Sequence, residues 1–181
     1  MARLTDLRPE TMSPEQRKAA EEIAAGPRGA VVGPFNALIR SPEMCARIQK
    51  VGEYLRFQSS LPARLRELTV LLVARFHSAN FEWYAHAPLA EQAGVDPGII
   101  IAIRDRRRPD FADPLDIAVY NFVRELLDKH NVSDHVYRPV LIRIGEQGVV
   151  ELVALVGYYT LIAMTLNTFQ IPTPDGKSPF V

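Results

Sequence analysis

Apolar residues recur at intervals of three and four along nearly the whole chain, and no stretch sustains the alternation of a half-buried strand. The pattern predicts an all-α fold in a single domain spanning residues 1–181. The first helix runs from about Ser13 to Ala25. It opens on Ser13-Pro14-Glu15-Gln16, where Ser13 can cap, Pro14 suits a first turn that needs no N–H, and Gln16 is the third-position partner of a capping box. A glycine- and proline-rich loop, Gly26 to Gly33, stops it and leads to Phe35, Leu38 and Ile39 on one helical face. Ser41-Pro42-Glu43 restarts a helix to about Phe57, with Met44, Ile48, Val51 and Leu55 predicted inward.

Pro62 begins the next helix, with Leu65, Leu68, Leu72 and Phe76 as its apolar face. Ser78 to Asn80 offers caps for a following helix that Gly94 ends. A short helix starts near Asp96. The run Arg104-Asp105-Arg106-Arg107-Arg108 before Pro109 reads as a solvated loop rather than an anion site. Pro114 to His130 is amphipathic through Ile117, Tyr120, Val123, Leu126 and Leu127. Ser133 caps a helix to about Ile144, Gly145-Glu146-Gln147-Gly148 interrupts, and a long apolar helix follows from Val149 to Phe169. Residues 171–181 read as a tail.

The Val149 to Phe169 helix approaches the length of a membrane span. Glu151, Thr160, Thr165 and Asn167 interrupt it and no basic flank anchors it, so it is expected to be a core helix buried on most sides. A chain of 181 residues rarely surrounds such a helix alone, and a subunit interface is expected to cover part of it. Twenty-one basic and twenty-one acidic side chains cancel, which argues against nucleic acid or an anionic membrane as partner. Cys45 stands alone, so no internal disulfide or Cys-x-x-Cys pair exists. With no signal-like apolar run at the N-terminus, a cytoplasmic location is expected.

Candidate chemistry concentrates in EWYAHAPLAEQAG. Glu82 and His86 are four residues apart and so share a helical face, and Glu67, on the preceding helix, can fold back towards them. A histidine between two carboxylates, beside Trp83 and Tyr84 as substrate contacts, is suited to moving protons. The same spacing also fits a surface pair, with Glu67 neutralising Arg64, Arg66 or Arg75. No metal site is expected, because His77 is the only further local ligand and lies on a different face. His130 and His135 fall at a helix end and a loop. Nucleophile elbows, phosphate loops and dinucleotide fingerprints are absent from the sequence, and no cofactor is expected.

From about Phe35 to Ile103, and most specifically in RELTVLLVA followed by EWYAHAPLAEQAG, the chain resembles the carboxymuconolactone decarboxylase family, related to the alkylhydroperoxidase D-like proteins. The resemblance implies an all-helical subunit assembling into trimers or hexamers, with its site near a subunit interface. In the peroxidase-like branch a Cys-x-x-Cys pair opens the helix, a histidine follows, and a glutamate on the preceding helix relays protons. Glu67 and His86 match the last two, but Ala79 and Glu82 stand at the cysteine positions. Neither can attack or resolve a disulfide, so redox turnover is not expected. The E-W-x-x-H form resembles the decarboxylase branch. That likeness implies cofactor-free loss of CO2 from a small carboxylated lactone in aromatic-compound catabolism. His86 would be the general acid, Glu67 would orient or reprotonate it, and Glu82 would be a second proton carrier whose charge disfavours a bound carboxylate. Arg40, Arg64, Arg75 and Arg143 are candidates to hold the acidic substrate. An isomerase or lactone hydrolase on the same scaffold, a peroxidase-like protein, and a non-catalytic helical assembly are the alternatives.

Overall fold

The predicted capping box forms in the computed structural model of the chain. Gln16 N donates to Ser13 Oγ at 3.2 Å and Ser13 N to Gln16 Oε1 at 2.9 Å, starting α1, Pro14–Ala25. The structure describes residues 3–5 and 7–180; Met1, Ala2 and Asp6 of the leader and Val181 of the tail lie outside them. The described elements are helices: α2 Phe35–Leu38, α3 Pro42–Phe57, α4 Ala63–Phe76, α5 Asn80–Gln92, α6 Pro97–Arg104, α7 Pro114–Lys129 and α8 Asp134–Phe169, with one 3-10 turn at Pro9–Thr11.

The side-chain caps expected from Ser133 and Ser78 are absent. Ser41 likewise precedes α3 without a side-chain capping bond, its backbone at φ −120° and ψ 80°. Ser133 precedes α8, but its hydroxyl donates to Glu125 instead, at 2.8 Å. Ser78 ends α4 rather than starting α5. It takes the left-handed conformation (φ 52°), Ser78 N reaches Arg75 O at 3.2 Å and Ala79 N reaches Ala74 O at 2.8 Å, the paired bonds of a Schellman stop. Ala79 then occupies the N-cap of α5. The resulting turn is tight enough to lay α5 back along α4.

α4 is the hub, packing against α5, α7 and α8. Leu65, Leu68 and every residue from Thr69 to Ala74 are buried, far more than the one face its periodicity predicts, while Phe76 at its end is exposed. On α3 the expected inward face is rotated. Met44 and Val51 are exposed and Ile48 is half-buried, whereas Cys45, Gln49, Gly52 and Leu55 face the interior. The interruption expected in the last helix is a kink at Gly145 (φ 69°, ψ 177°), and the apolar arm begins directly after it, earlier than Val149.

That arm is the expected core helix on its inner side and leaves an apolar face that the described residues do not cover. Leu152, Leu155, Tyr159, Ile162 and Leu166 are buried, but Val150 is 69% exposed and Val153, Leu161 and Met164 follow it at helical spacing into solvent. It is the described helix long and apolar enough to cross a membrane, yet its inner face completes the core.

Candidate functional site

The tight α4–α5 turn aligns Glu67 with His86, one from each helix. Glu67 Oε2 lies 2.7 Å from His86 Nδ1, and both side chains are largely buried. This contact engages Nδ1 and leaves Nε2, on the other edge of the ring, as the nitrogen on the Glu82 side. Glu82 Oε1 stands 4.0 Å from Nε2, beyond hydrogen-bond reach. Tyr159 packs edge-on against the imidazole, with ring centres 5.1 Å apart.

Glu82 is the unusual group. It is 3% exposed, and its Oε2 is buried without a hydrogen-bond partner. Burial pushes its carboxyl up to about 8; the charges of Arg56 and Arg28 pull it down and that of Glu67 pushes it further up. At neutral pH it is therefore mainly a neutral acid. The repulsive charge expected of it from sequence is absent there, and a proton is present instead.

In front of Glu82 and His86 lies a cleft of about 240 Å³, walled by the loop after α1, the end of α3, α5 and α8. Arg28, Arg56, Phe57, Phe81, Tyr158 and Tyr159 line it. The rotation of α3 matters here, because Gly52 and Arg56 are one turn apart on the inward face. Any Cβ at residue 52 would collide with the Tyr158 hydroxyl and the Arg28 guanidinium. Arg28 lies over the Phe35 ring, 4.6 Å from its centre, with Nη2 3.4 Å from Tyr158 Oη. The site thus holds two guanidinium groups, one buried acid, one carboxylate-paired histidine and an aromatic wall.

Several expected participants are elsewhere. Trp83 is buried against Phe180 of the tail, ring centres 5.1 Å apart, and Tyr84 is largely exposed; neither lines the cleft. Arg64 binds Asp113 and Asp116, Arg40 binds the carbonyls of Asn36 and Thr5, Arg75 donates to Arg104 O and Arg143 to Pro139 O. None of the four reaches Glu67 or the cleft. Arg28, Arg56, Tyr158 and Tyr159 were not foreseen as site residues. Their sequence signal was weak: an arginine beside a loop glycine, another at a helix end, and two tyrosines in an apolar run. Burial pushes the Cys45 thiol up to about 11 against the pull of Arg28, which leaves it protonated. Among the described residues no three His, Cys, Asp or Glu side chains converge as a metal site.

Residues 42–125 match the carboxymuconolactone decarboxylase family, beginning later than the quoted resemblance and running on into α7. No curated protein matches the sequence significantly. The fold is similar to a crystal structure from Ralstonia eutropha JMP134 described as an alkylhydroperoxidase AhpD core, an uncharacterized peroxidase-related protein. The TM-score is 0.78 at 15% identity, covering 96% of this chain and 93% of that one. At that identity the likeness speaks to fold alone.

Proposed function

We propose that this chain, whose residues 42–125 match the carboxymuconolactone decarboxylase family, is a cofactor-independent enzyme that transfers protons on a small acidic substrate, and that its reaction is loss of CO2 from a carboxylated unsaturated lactone. The observation that carries the reading is the buried, unpartnered Glu82 acid facing a carboxylate-held histidine across an arginine-bearing cleft.

In this reading Arg56 and Arg28 receive a carboxylate that the substrate keeps. The bond to the departing carboxylate breaks, its electron pair delocalises to the lactone carbonyl, and CO2 leaves. Glu82 then gives its proton to carbon. One proton is consumed per turnover, and His86 Nε2, 4.0 Å from Glu82, returns one to it from solvent through an intervening water while Glu67 fixes the ring through Nδ1. A positioned acid of this kind contributes roughly 10²- to 10⁴-fold in rate. The substrate's negative charge adds to that of Glu67, which favours the protonated form of Glu82. Assembly into trimers or hexamers through the exposed apolar strip of α8 belongs to the same reading, as does a cytoplasmic setting without nucleic acid or membrane partners.

The test incubates wild type, His86→Ala and Glu67→Gln with carboxymuconolactone and related carboxylated lactones, following CO2 release and solvent deuterium in the product. Turnover in the wild type that drops roughly 10²- to 10⁴-fold in His86→Ala supports the assignment. Deuterium uptake without CO2 replaces decarboxylation by isomerisation. Equal rates in all three proteins remove His86 and Glu67 from the chemistry.

A further inference from the structure

A second cleft, of about 260 Å³, shares no residue with the one holding His86. Arg75 from the end of α4, Arg106 and Arg107 from the loop after α6, and Arg124 from α7 surround it. Leu72 and Ile103, each 3% exposed, are its buried floor, and Phe76 and Tyr120 complete the apolar lining.

Its charge is incompletely neutralised. Arg124 pairs with Asp128 and Arg107 with Asp105, at 3.1 and 3.4 Å. Arg75 and Arg106 pair with no carboxylate among the described residues; Asp105, whose charge reaches Arg75, is already bonded to Arg104 and Arg107. Instead both donate to one neutral oxygen, Ser78 Oγ, each at 3.2 Å. Burial first, and then the Arg106 charge, holds the Arg75 guanidinium below its ordinary value against the opposing charge of Asp105.

The backbone at Arg106 adds an independent observation. Arg106 N bonds Ile103 O at 3.0 Å and Arg107 N bonds Ala102 O at 2.8 Å, which puts Arg106 in the left-handed position of a Schellman stop, with φ 57°. Glycine serves that conformation without strain, so local folding does not account for a long cationic side chain there. Ser78 holds the equivalent position at the end of α4, and the two stops meet through the Ser78–Arg106 hydrogen bond.

We propose that this cleft binds a small organic anion, its phosphate or carboxylate group taken by Arg75 and Arg106 with Arg107 and Arg124 beside them, and its hydrocarbon body resting on Leu72, Phe76, Ile103 and Tyr120. Planar guanidinium groups bind either oxyanion through paired N–H donors, and the apolar lining selects for a ligand with a ring or chain attached. The site stands whether or not the His86 cleft is catalytic.

The experiment is calorimetric titration of the full chain with phenyl phosphate and, separately, with phthalate. One probe is expected to bind at one equivalent per chain, more weakly as salt rises, and the better of the two identifies the oxyanion. Arg106→Gly keeps the left-handed turn and removes the cation, so affinity should fall roughly 10-fold or more while the melting temperature holds or rises. Arg124→Gln, outside both Schellman stops, should weaken binding as well. Arg56→Gln and His86→Ala should bind as wild type does. No binding of either probe, affinity unchanged in both Arg106→Gly and Arg124→Gln, or binding abolished by Arg56→Gln would each overturn the proposal.

Discussion

At the scale of single residues, Glu82 governs both chemistry and pH response. Its carboxyl is raised from an ordinary 4.5 to about 8 by burial, so the folded state favours its neutral form. The stability this group contributes is complete below the ordinary value, and is lost as pH rises from there through about 8, because only the unfolded chain ionises it freely. Glu82→Gln removes that loss. Thermal melts should show the variant gaining on wild type between pH 5 and pH 9, and parallel curves would contradict the buried acid. The same substitution should cost roughly 10²- to 10⁴-fold in turnover, and wild-type activity should decline above about pH 8 as the proton to be delivered is lost. Cys45 makes the opposite prediction. Its buried thiol is held protonated, so Cys45→Ser should leave turnover largely intact. Thiol-dependent peroxide consumption that vanished in this variant would restore the redox alternative. Glu67, Glu82 and His86 were legible in the sequence because helical spacing and a single tight turn bring them together. Arg28 and Arg56 were not, since their approach depends on how a loop and a helix end fold over α5 and α8.

Among the elements, α3 illustrates the limit of periodicity. Its apolar residues mark a face through Met44 and Val51, yet the helix turns Cys45, Gln49 and Gly52 inward. Packing sets that rotation, for only a residue without a Cβ leaves room for Tyr158 and Arg28 beside α3. Gly52→Ala should therefore cost about 1–3 kcal/mol by overpacking, because the buried Tyr158 ring cannot retreat freely. It should also raise KM more than it lowers kcat, since Arg28 is displaced from the cleft. Denaturant melts together with steady-state kinetics check both, and an unchanged KM would remove Arg28 from substrate binding. The stop at Ser78 teaches a related lesson. Ser78 and Asn80 read as caps for α5, but the hydrogen bonds at Ser78 close α4 instead, and that choice fixes the return angle carrying His86 to Glu67.

For the whole molecule, the exposed strip Val150, Val153, Leu161 and Met164 on α8 is more apolar surface than one subunit covers. Multi-angle light scattering at micromolar concentration should give a multiple of the 20.3 kDa chain mass, with Leu161→Glu shifting the protein towards monomer without lowering its helix content. A wild-type monomer would count against the strip as an interface. The sequence by itself determined the helical class, most helix limits, the capping box at Ser13, the break at Gly145 and the Glu67–Glu82–His86 set. All of these follow from contacts within a few residues or across one short turn, where spacing alone dictates geometry. Only the tertiary structure decided that α4 rather than α8 is the hub, which face of α3 points inward, and that Trp83 holds the tail instead of a ligand. It alone decided that Arg28 and Arg56 share the cleft with a protonated Glu82, and that Arg75 and Arg106 meet over Ser78. The physical reason is common to these cases: packing and burial join segments far apart in the chain, and the rotation of a helix, the pKa of a buried acid and the company of an arginine are properties of those junctions.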